Sequence, residues 1–163
     1  MSSLKKIVSL WNKKTQMKKN IFLAILAIGF VFNSCKNDDS DEDNTETIVG
    51  IWKPTREITI SGSNGNTISN QNASTCYKKS TFDFKSNNTL ASTIFDDQTD
   101  GSCKSYGTEN LSYSYDFNGK KLIIDNEQFE VISHTKNELQ FVSDYEDENN
   151  DGIEDKIILV LNK

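Results

Sequence analysis

The sequence has little histidine, cysteine or proline: its 163 residues include one His, three Cys and one Pro. So few nitrogen and sulfur ligands leave little material for a zinc site or for a catalytic triad built on histidine. Positive charge is also scarce after residue 34, where 12 Lys and Arg stand against 24 Asp and Glu. A surface this acidic repels phosphate backbones, so nucleic acid is disfavoured as a partner.

The longest apolar run, residues 21–32, is too short to span a bilayer about 30 Å thick as a helix. Because lysines precede it, the run predicts the hydrophobic part of a signal peptide over residues 1–34, in which 1–16 are a long n-region or a misassigned start. The run leads into Asn33-Ser34-Cys35, which resembles the lipobox of bacterial lipoproteins in the form frequent in Bacteroidetes. The resemblance implies acyl chains on Cys35. The alternative is an ordinary secretory signal with an incidental cysteine.

Residues 35–46 combine this cysteine with a strongly acidic stretch, which has five Asp or Glu between positions 38 and 43. A segment with so little apolar surface cannot fold by itself, and we expect a disordered tether. The stretch also resembles the acidic signal that sends Bacteroidetes lipoproteins to the outer face of the outer membrane. We therefore expect an exported protein, lipid-anchored in the outer membrane and facing the cell surface. A spacer that faces the periplasm is the alternative.

From residue 47 onward no sustained helical periodicity appears, whereas strand-like alternation repeats throughout. The clearest alternation, residues 111–117, precedes Asn118-Gly119, which predicts a hairpin with a type I′ turn and positive φ at both residues. Short polar turns leave no room for crossover helices, so we predict an all-β domain over 47–163. Its expected architecture is an antiparallel up-and-down meander closed into a barrel of about eight strands. The predicted strands cover residues 52–60, 67–72, 78–84, 89–95, 111–117, 121–125, 127–133, 138–145 and 156–161.

The domain opens with Gly50-Ile51-Trp52, and a Gly-x-Trp on the first strand resembles the hallmark of lipocalins. With the lipoprotein signal, the acidic tether and residues 76–82, the layout looks like the lipocalin-like lipoproteins of Bacteroidetes. The resemblance implies a lipocalin-like barrel with Trp52 packed across its closed end. It also implies a cavity for an apolar ligand lined by aromatic side chains, namely Phe82, Phe84, Tyr113, Tyr115, Phe129 and Phe141. The alternative is that these rings simply fill the core.

The cysteines and the histidine have structural interpretations. With Cys35 lipidated, Cys76 and Cys103 form an even remainder in an oxidising compartment, which predicts a disulfide. A reactive thiol pair is not indicated, because the two cysteines do not have CxxC spacing and no histidine is near them in the sequence. His134 follows a predicted strand and is expected to be a solvated loop residue.

One acidic loop has the spacing of a calcium site. Asp147-Glu-Asn149-Asn-Asp151-Gly-Ile153-Glu-Asp155 matches the first nine positions of an EF-hand-type loop. Oxygens of the residues at positions 1, 3, 5, 7 and 9 converge on one cation in such loops, while the glycine at position 6 permits the turn. The bidentate Glu at position 12 is replaced by Ile158. Calcium is therefore a possible cofactor of low affinity, and a metal-free acidic hairpin loop is the alternative.

These features predict a lipid-anchored cell-envelope lipoprotein whose barrel binds a small hydrophobic molecule. The alternative is a structural or interaction lipoprotein with a filled barrel, whose partners are surface proteins or glycans. Nothing in the sequence distinguishes one carboxylate pair from another as an acid and base, so we do not expect an enzyme. The expected partners are the membrane, through the lipid anchor, and the small ligand.

Overall fold

The computed structural model describes residues 47–163. The predictions on residues 1–46, which are the signal peptide, the lipidated Cys35 and the tether, lie outside this range. The described part contains nine strands and one short 3₁₀ turn, Tyr77–Lys79. The strands are β1 (Gly50–Ile60), β2 (Thr67–Asn72), β3 (Thr81–Phe84), β4 (Thr89–Asp97), β5 (Cys103–Asp116), β6 (Lys121–Ile124), β7 (Glu127–His134), β8 (Glu138–Glu146) and β9 (Asp155–Asn162).

The strands form a closed antiparallel barrel. From β3 to β9 each strand pairs with the next one in sequence, and β1 pairs with both β3 and β9. This closes a ring of eight strands, and β2 adds to it by pairing with the second half of β1. The prediction of an all-β meander closed into a barrel of about eight strands is confirmed. Closure leaves few unpaired strand edges, which would otherwise invite aggregation.

Two strand boundaries differ from the prediction by more than two residues. Strand β5 begins at Cys103 rather than at 111, because residues 103–110 pair with β4 although their side chains are mostly exposed. The strand predicted over 78–84 begins only at Thr81, since Tyr77–Lys79 form the 3₁₀ turn. In both places the pattern of apolar side chains does not show whether the backbone pairs with a neighbouring strand.

The hairpin at Asn118-Gly119 forms, but its predicted type I′ turn is wrong. The connection has four residues, 117–120, and its positive φ lies at Lys120, not at Asn118 or Gly119. Gly119 lies against Asp116: its N–H donates to Oδ1 of Asp116, and a Cβ at this position would displace that carboxylate. The two-residue turn with positive φ at both positions is instead Asp125-Asn126, between β6 and β7.

The core lies between the inner faces of the strands. Along β4 every second side chain is buried, and Leu90 and Ile94 join the central hydrophobic cluster. Strand β9 is buried on both faces from Ile157 to Leu161, as its continuous apolar run predicts. The single proline, Pro54, lies at a register shift between β1 and β9, where a missing N–H costs no ladder hydrogen bond.

The antiparallel order divides the connections between two ends of the barrel. The end that contains Trp52 is formed by residues 47–49, 85–88, 117–120, 135–137 and 163, and we call it the Trp52 end. The opposite end is formed by residues 61–66, 73–80, 98–102, 125–126 and 147–154, and we call it the loop end. The Trp52 end has short turns, whereas the loop end carries the longer connections.

Candidate functional site

The six aromatic residues predicted to line a cavity all belong to the interior. Phe82, Phe84, Tyr113 and Phe141 are buried in the central cluster, and Tyr115 and Phe129 pack against it while partly exposed. Their rings contact one another, with the centroids of Phe84 and Tyr113 5.0 Å apart and those of Phe129 and Phe141 5.7 Å apart. These contacts mean that the rings contribute to packing. Tyr115 and Phe129 in addition line two surface clefts.

Trp52 lies buried at one end of the barrel. Its side chain is 0% exposed, and its indole N–H donates to the carbonyl of Ile48 at 2.7 Å. The Nζ of Lys163 lies over the ring, 4.5 Å from its centroid. The indole is therefore fixed by packing on one side, by a hydrogen bond at its polar edge and by a cation above its face.

A cleft of about 380 Å³ opens at the Trp52 end, and we call it the Trp52-end cleft. It lies between the β5–β6 hairpin and the last residues of β7. Its walls combine apolar and aromatic side chains with polar ones. Among the lining residues, Lys120 is the only lysine, arginine, aspartate or glutamate. The lining residues are Tyr115, Phe117, Asn118, Lys120, Val131, Ile132, Ser133 and His134.

His134 is not the solvated loop residue that the sequence predicts. It is the last residue of β7, pairs with Leu139 and is half-buried. Its Nδ1 lies 2.7 Å from the Tyr115 hydroxyl, and its ring centroid is 5.7 Å from that of Trp52 and 6.0 Å from that of Phe117. The imidazole thus connects the buried indole to the wall of the Trp52-end cleft.

Several residues of this cleft, including Phe117, Lys120 and Ser133, are not among those predicted from the sequence. One signal was available: the alternation Tyr113, Tyr115, Phe117 places Phe117 on the same face as two predicted cavity residues. The position of His134 depends on a register shift in β7 between Val131 and Ser133. Nothing in the local sequence marks that shift.

A second cleft, also about 380 Å³, lies between β7 and β8, and we call it the β7–β8 cleft. The two strands pair through residues 131–134 of β7 and 139–141 of β8, and the cleft opens beyond that pairing. Its charged lining is acidic, with Glu127, Glu130 and Asp144. This cleft is therefore more polar than the Trp52-end cleft and unsuited to a purely apolar ligand.

The carboxyl groups of the β7–β8 cleft titrate differently. Burial raises the pKa of Glu127, and the nearby charge of Asp144 raises it further. A hydrogen bond from Lys156, at 2.8 Å, lowers the pKa of Glu130. Ionised Glu130 thus pairs with Lys156 of β9, whereas Glu127 binds a proton more readily than an ordinary glutamate does.

The predicted disulfide between Cys76 and Cys103 is confirmed. It ties residues 73–80 to the start of β5, and the Tyr77 side chain beside it enters the core at 3% exposure. Burial, with the carboxylates of Glu57 and Asp96, raises the pKa of the Tyr77 phenol, which therefore stays protonated. The bridge thus holds a protonated, buried phenol over the loop end of the core.

The residues of the predicted calcium loop, 147–155, form the connection between β8 and β9 and the first residue of β9. Within residues 47–163 no group of three or more His, Cys, Asp or Glu side chains is arranged to hold a metal ion. Both oxygens of Asp155, which is 0% exposed, accept backbone N–H groups, from Gly62 at 3.0 Å and Glu148 at 2.9 Å. Asp147 likewise accepts the N–H groups of Asp151 and Gly152. Asp155 therefore supports the loop, and calcium binding stays a prediction.

Comparison with known proteins identifies the domain type. A family model described as a lipocalin-like domain matches residues 48–141, which is more than half of the chain. No curated protein and no solved structure gives a match. The part of the chain that the structure describes has no helix long and apolar enough to cross a membrane.

Proposed function

Because the chain belongs to the lipocalin-like domain family, we propose that it binds a small hydrophobic molecule, and that the Trp52-end cleft is the binding site. The cleft is the single observation that carries this proposal. Its volume of about 380 Å³ lies within the range of small-molecule sites, roughly 300–1,000 Å³. Its walls combine the apolar surfaces of Phe117, Val131 and Ile132 with polar groups that orient a ligand, among them His134 and Ser133.

A fluorescence titration tests this site, because Trp52 lies close to it. The probe is N-phenyl-1-naphthylamine, a neutral apolar fluorophore that accepts excitation energy from tryptophan. A Trp11→Phe chain leaves Trp52 as the sole tryptophan. Since the indole lies 5.7 Å from His134 at the cleft wall, we expect bound probe to quench Trp52 emission saturably.

A matched pair of variants locates the probe. Ile132→Asn places an amide on the cleft wall, whereas Ile123→Asn makes the same change at a half-buried position of β6 outside the lining. Burying an amide without partners costs on the order of 1–3 kcal/mol, so the first variant should bind about 5- to 150-fold more weakly. Equal affinities in the two variants would place the probe elsewhere and refute the site.

We further propose that the protein is anchored by acyl chains on Cys35 in the outer membrane, with the domain facing the cell surface. The lipobox-like sequence before Cys35 and the acidic stretch after it support this proposal. Several acyl chains hold a protein on a membrane where one chain is marginal. Cys35→Ala should leave the protein unprocessed or release it from the membrane fraction. Equal retention of wild type and variant after an alkaline wash contradicts lipidation.

The proposed role is binding and not catalysis. The alternative, an interaction lipoprotein with a filled barrel, is favoured by the close contacts among the interior aromatic rings. Native mass spectrometry of protein purified from its own host separates the two roles. A co-purifying small molecule, lost in Ile132→Asn, supports binding; protein or glycan adducts alone support the interaction role.

A further inference from the structure

The two ends of the barrel carry opposite charge. The connections of the Trp52 end contain no Asp or Glu and four exposed lysines, Lys85, Lys120, Lys136 and Lys163. The connections of the loop end contain two lysines, Lys78 and Lys79, and six carboxylates, which are Asp100, Asp125, Asp147, Glu148, Asp151 and Glu154. The connections of the Trp52 end are therefore locally cationic in a chain with a net charge of −6, although exposed Asp116 borders them and the acidic residues 38–46 join the domain at the same end.

The cationic end also exposes aliphatic side chains. Val49, just before β1, is 38% exposed, and Ile51, the second residue of β1, is 56% exposed. Both are close in sequence to the buried Trp52. Lys53 is exposed on the same strand, and the Lys163 side chain lies across Gly50 and Trp52. Asp83 is the cross-strand partner of Ile51, so these aliphatic groups have Lys53, Lys163 and one carboxylate near them. Lysines beside exposed aliphatic groups are the combination that binds the interface of an anionic bilayer.

The position of the N-terminal chain agrees with this arrangement. The described part begins at Thr47, at the Trp52 end, so everything before it joins the domain at its cationic end. The twelve residues from Cys35 to Glu46 reach at most about 40 Å when fully extended. Any attachment of that segment to a membrane therefore keeps the Trp52 end within reach of the lipid surface.

We propose that the Trp52 end docks onto an anionic lipid surface, with Lys85, Lys120, Lys136 and Lys163 against the headgroups and Val49 and Ile51 at the interface. The loop end, whose carboxylates the same surface repels, points away. The docking does not require acylation of Cys35 or a ligand in the Trp52-end cleft. It would place that cleft next to the bilayer, from which an apolar ligand can enter.

The experiment measures which end lies near the lipid. A fluorophore is attached to a cysteine at position 87, in the Trp52 end, or at position 64, in the loop end. The chain carries Cys35→Ser and lacks residues 1–34, because their six lysines and apolar run would themselves bind anionic vesicles. The two positions match, because Asn87 and Asn64 are both exposed and each accepts one backbone N–H from two residues onward. The chain is bound to vesicles with a headgroup quencher, made of phosphatidylcholine alone or with one quarter phosphatidylglycerol.

We expect phosphatidylglycerol to increase quenching at position 87 at least threefold and to leave position 64 unchanged, and 1 M salt to abolish the increase. Lys120→Gln/Lys136→Gln should lower the docked-to-undocked ratio about 25-fold, since each lysine near an anionic surface contributes roughly fivefold. The matched control, Lys78→Gln/Lys79→Gln, removes the same charge at the loop end and should change nothing.

Two outcomes overturn the proposal. Quenching at position 87 that is equal on both vesicle types would come from the point of attachment alone. A dimer in sedimentation velocity without vesicles, abolished by Ile51→Asn, would assign this surface to a second copy of the chain. Neither outcome affects the titration of the Trp52-end cleft in solution, so failure of docking and failure of ligand binding are distinguishable.

Discussion

Replacing Trp52 with alanine tests the packing of the barrel end at a single residue. The indole is 0% exposed, and large-to-small changes at such core positions cost about 3–5 kcal/mol. Part of that cost arises at Ile48, itself 4% exposed, whose carbonyl loses the indole N–H. We therefore expect Trp52→Ala to lower the free energy of unfolding by 3–5 kcal/mol, a large fraction of the roughly 5–15 kcal/mol usual for a domain.

Two further variants separate the contributions. Trp52→Phe keeps an aromatic ring but removes the N–H donor, so its cost should be about 1–3 kcal/mol, which an unpaired buried carbonyl explains. Ile51→Ala changes the neighbouring side chain, which is 56% exposed, and should stay within about 0.5 kcal/mol of wild type. The order of stability should therefore be wild type and Ile51→Ala, then Trp52→Phe, then Trp52→Ala.

Urea denaturation followed by circular dichroism measures these differences without relying on Trp52 fluorescence. The midpoint should shift while the slope m stays constant, because the unfolded state exposes nearly the same surface in each variant. If Trp52→Ala does not fold, Trp52→Phe and Ile51→Ala still give the comparison. A loss below about 1 kcal/mol for Trp52→Ala, or one equal to that of Ile51→Ala, would refute the assignment of Trp52 to the barrel end.

Three further predictions concern the disulfide, the β7–β8 cleft and the acidic loop. Replacing Cys76 and Cys103 with serine should cost about 3–4 kcal/mol in thermal denaturation, because the bridge closes a loop with a separation of 27 residues; an unchanged melting temperature contradicts this. Burial raises the pKa of Glu127 above its value in the unfolded chain, so ionised Glu127 lowers the free energy of unfolding once the pH rises past that unfolded pKa. Glu127→Gln should therefore raise the free energy of unfolding by less than about 1 kcal/mol at pH 7 and leave it unchanged below about pH 4. Asp155→Asn should destabilise the loop by about 1–3 kcal/mol with or without calcium. If the loop binds calcium, about 5 mM calcium should raise the melting temperature of the wild type and not that of Asp147→Asn.

Alternation of apolar side chains made most of the fold predictable. Where a strand is buried on one face, as β4 is, or on both, as β9 is, the sequence pattern and the structure agree to within two residues. Strand β5 shows the limit, because residues 103–110 extend past the core and carry almost no buried side chain. Hydrogen bonds to β4 make this part a strand, and backbone pairing leaves no mark on the sequence.

The candidate site was less predictable because it depends on register. His134 shares a face with the buried Leu139 only because β7 shifts register between Val131 and Ser133. A shift of one residue exchanges the inward and outward faces of all residues that follow. Without the shift, alternation from Val131 would direct Ser133 inward and His134 to solvent, which is what the sequence analysis expected. One unmarked irregularity therefore decides whether the only histidine contacts the Trp52-end cleft.

The opposite charges of the two ends are hidden in the linear sequence for a related reason. Acidic and basic residues alternate along the chain without forming long blocks after residue 47 other than the loop at 147–154. In an antiparallel meander successive connections fall at opposite ends, so charges in every second connection accumulate on one surface. Lys85, Lys120 and Lys136 are far apart in sequence and lie at the same end only because each belongs to such a connection. Strand order thus sets the charge that a membrane or ligand encounters in the connections at each end. The net charge of the chain alone would predict negative charge in the connections of the Trp52 end, where only lysines are found.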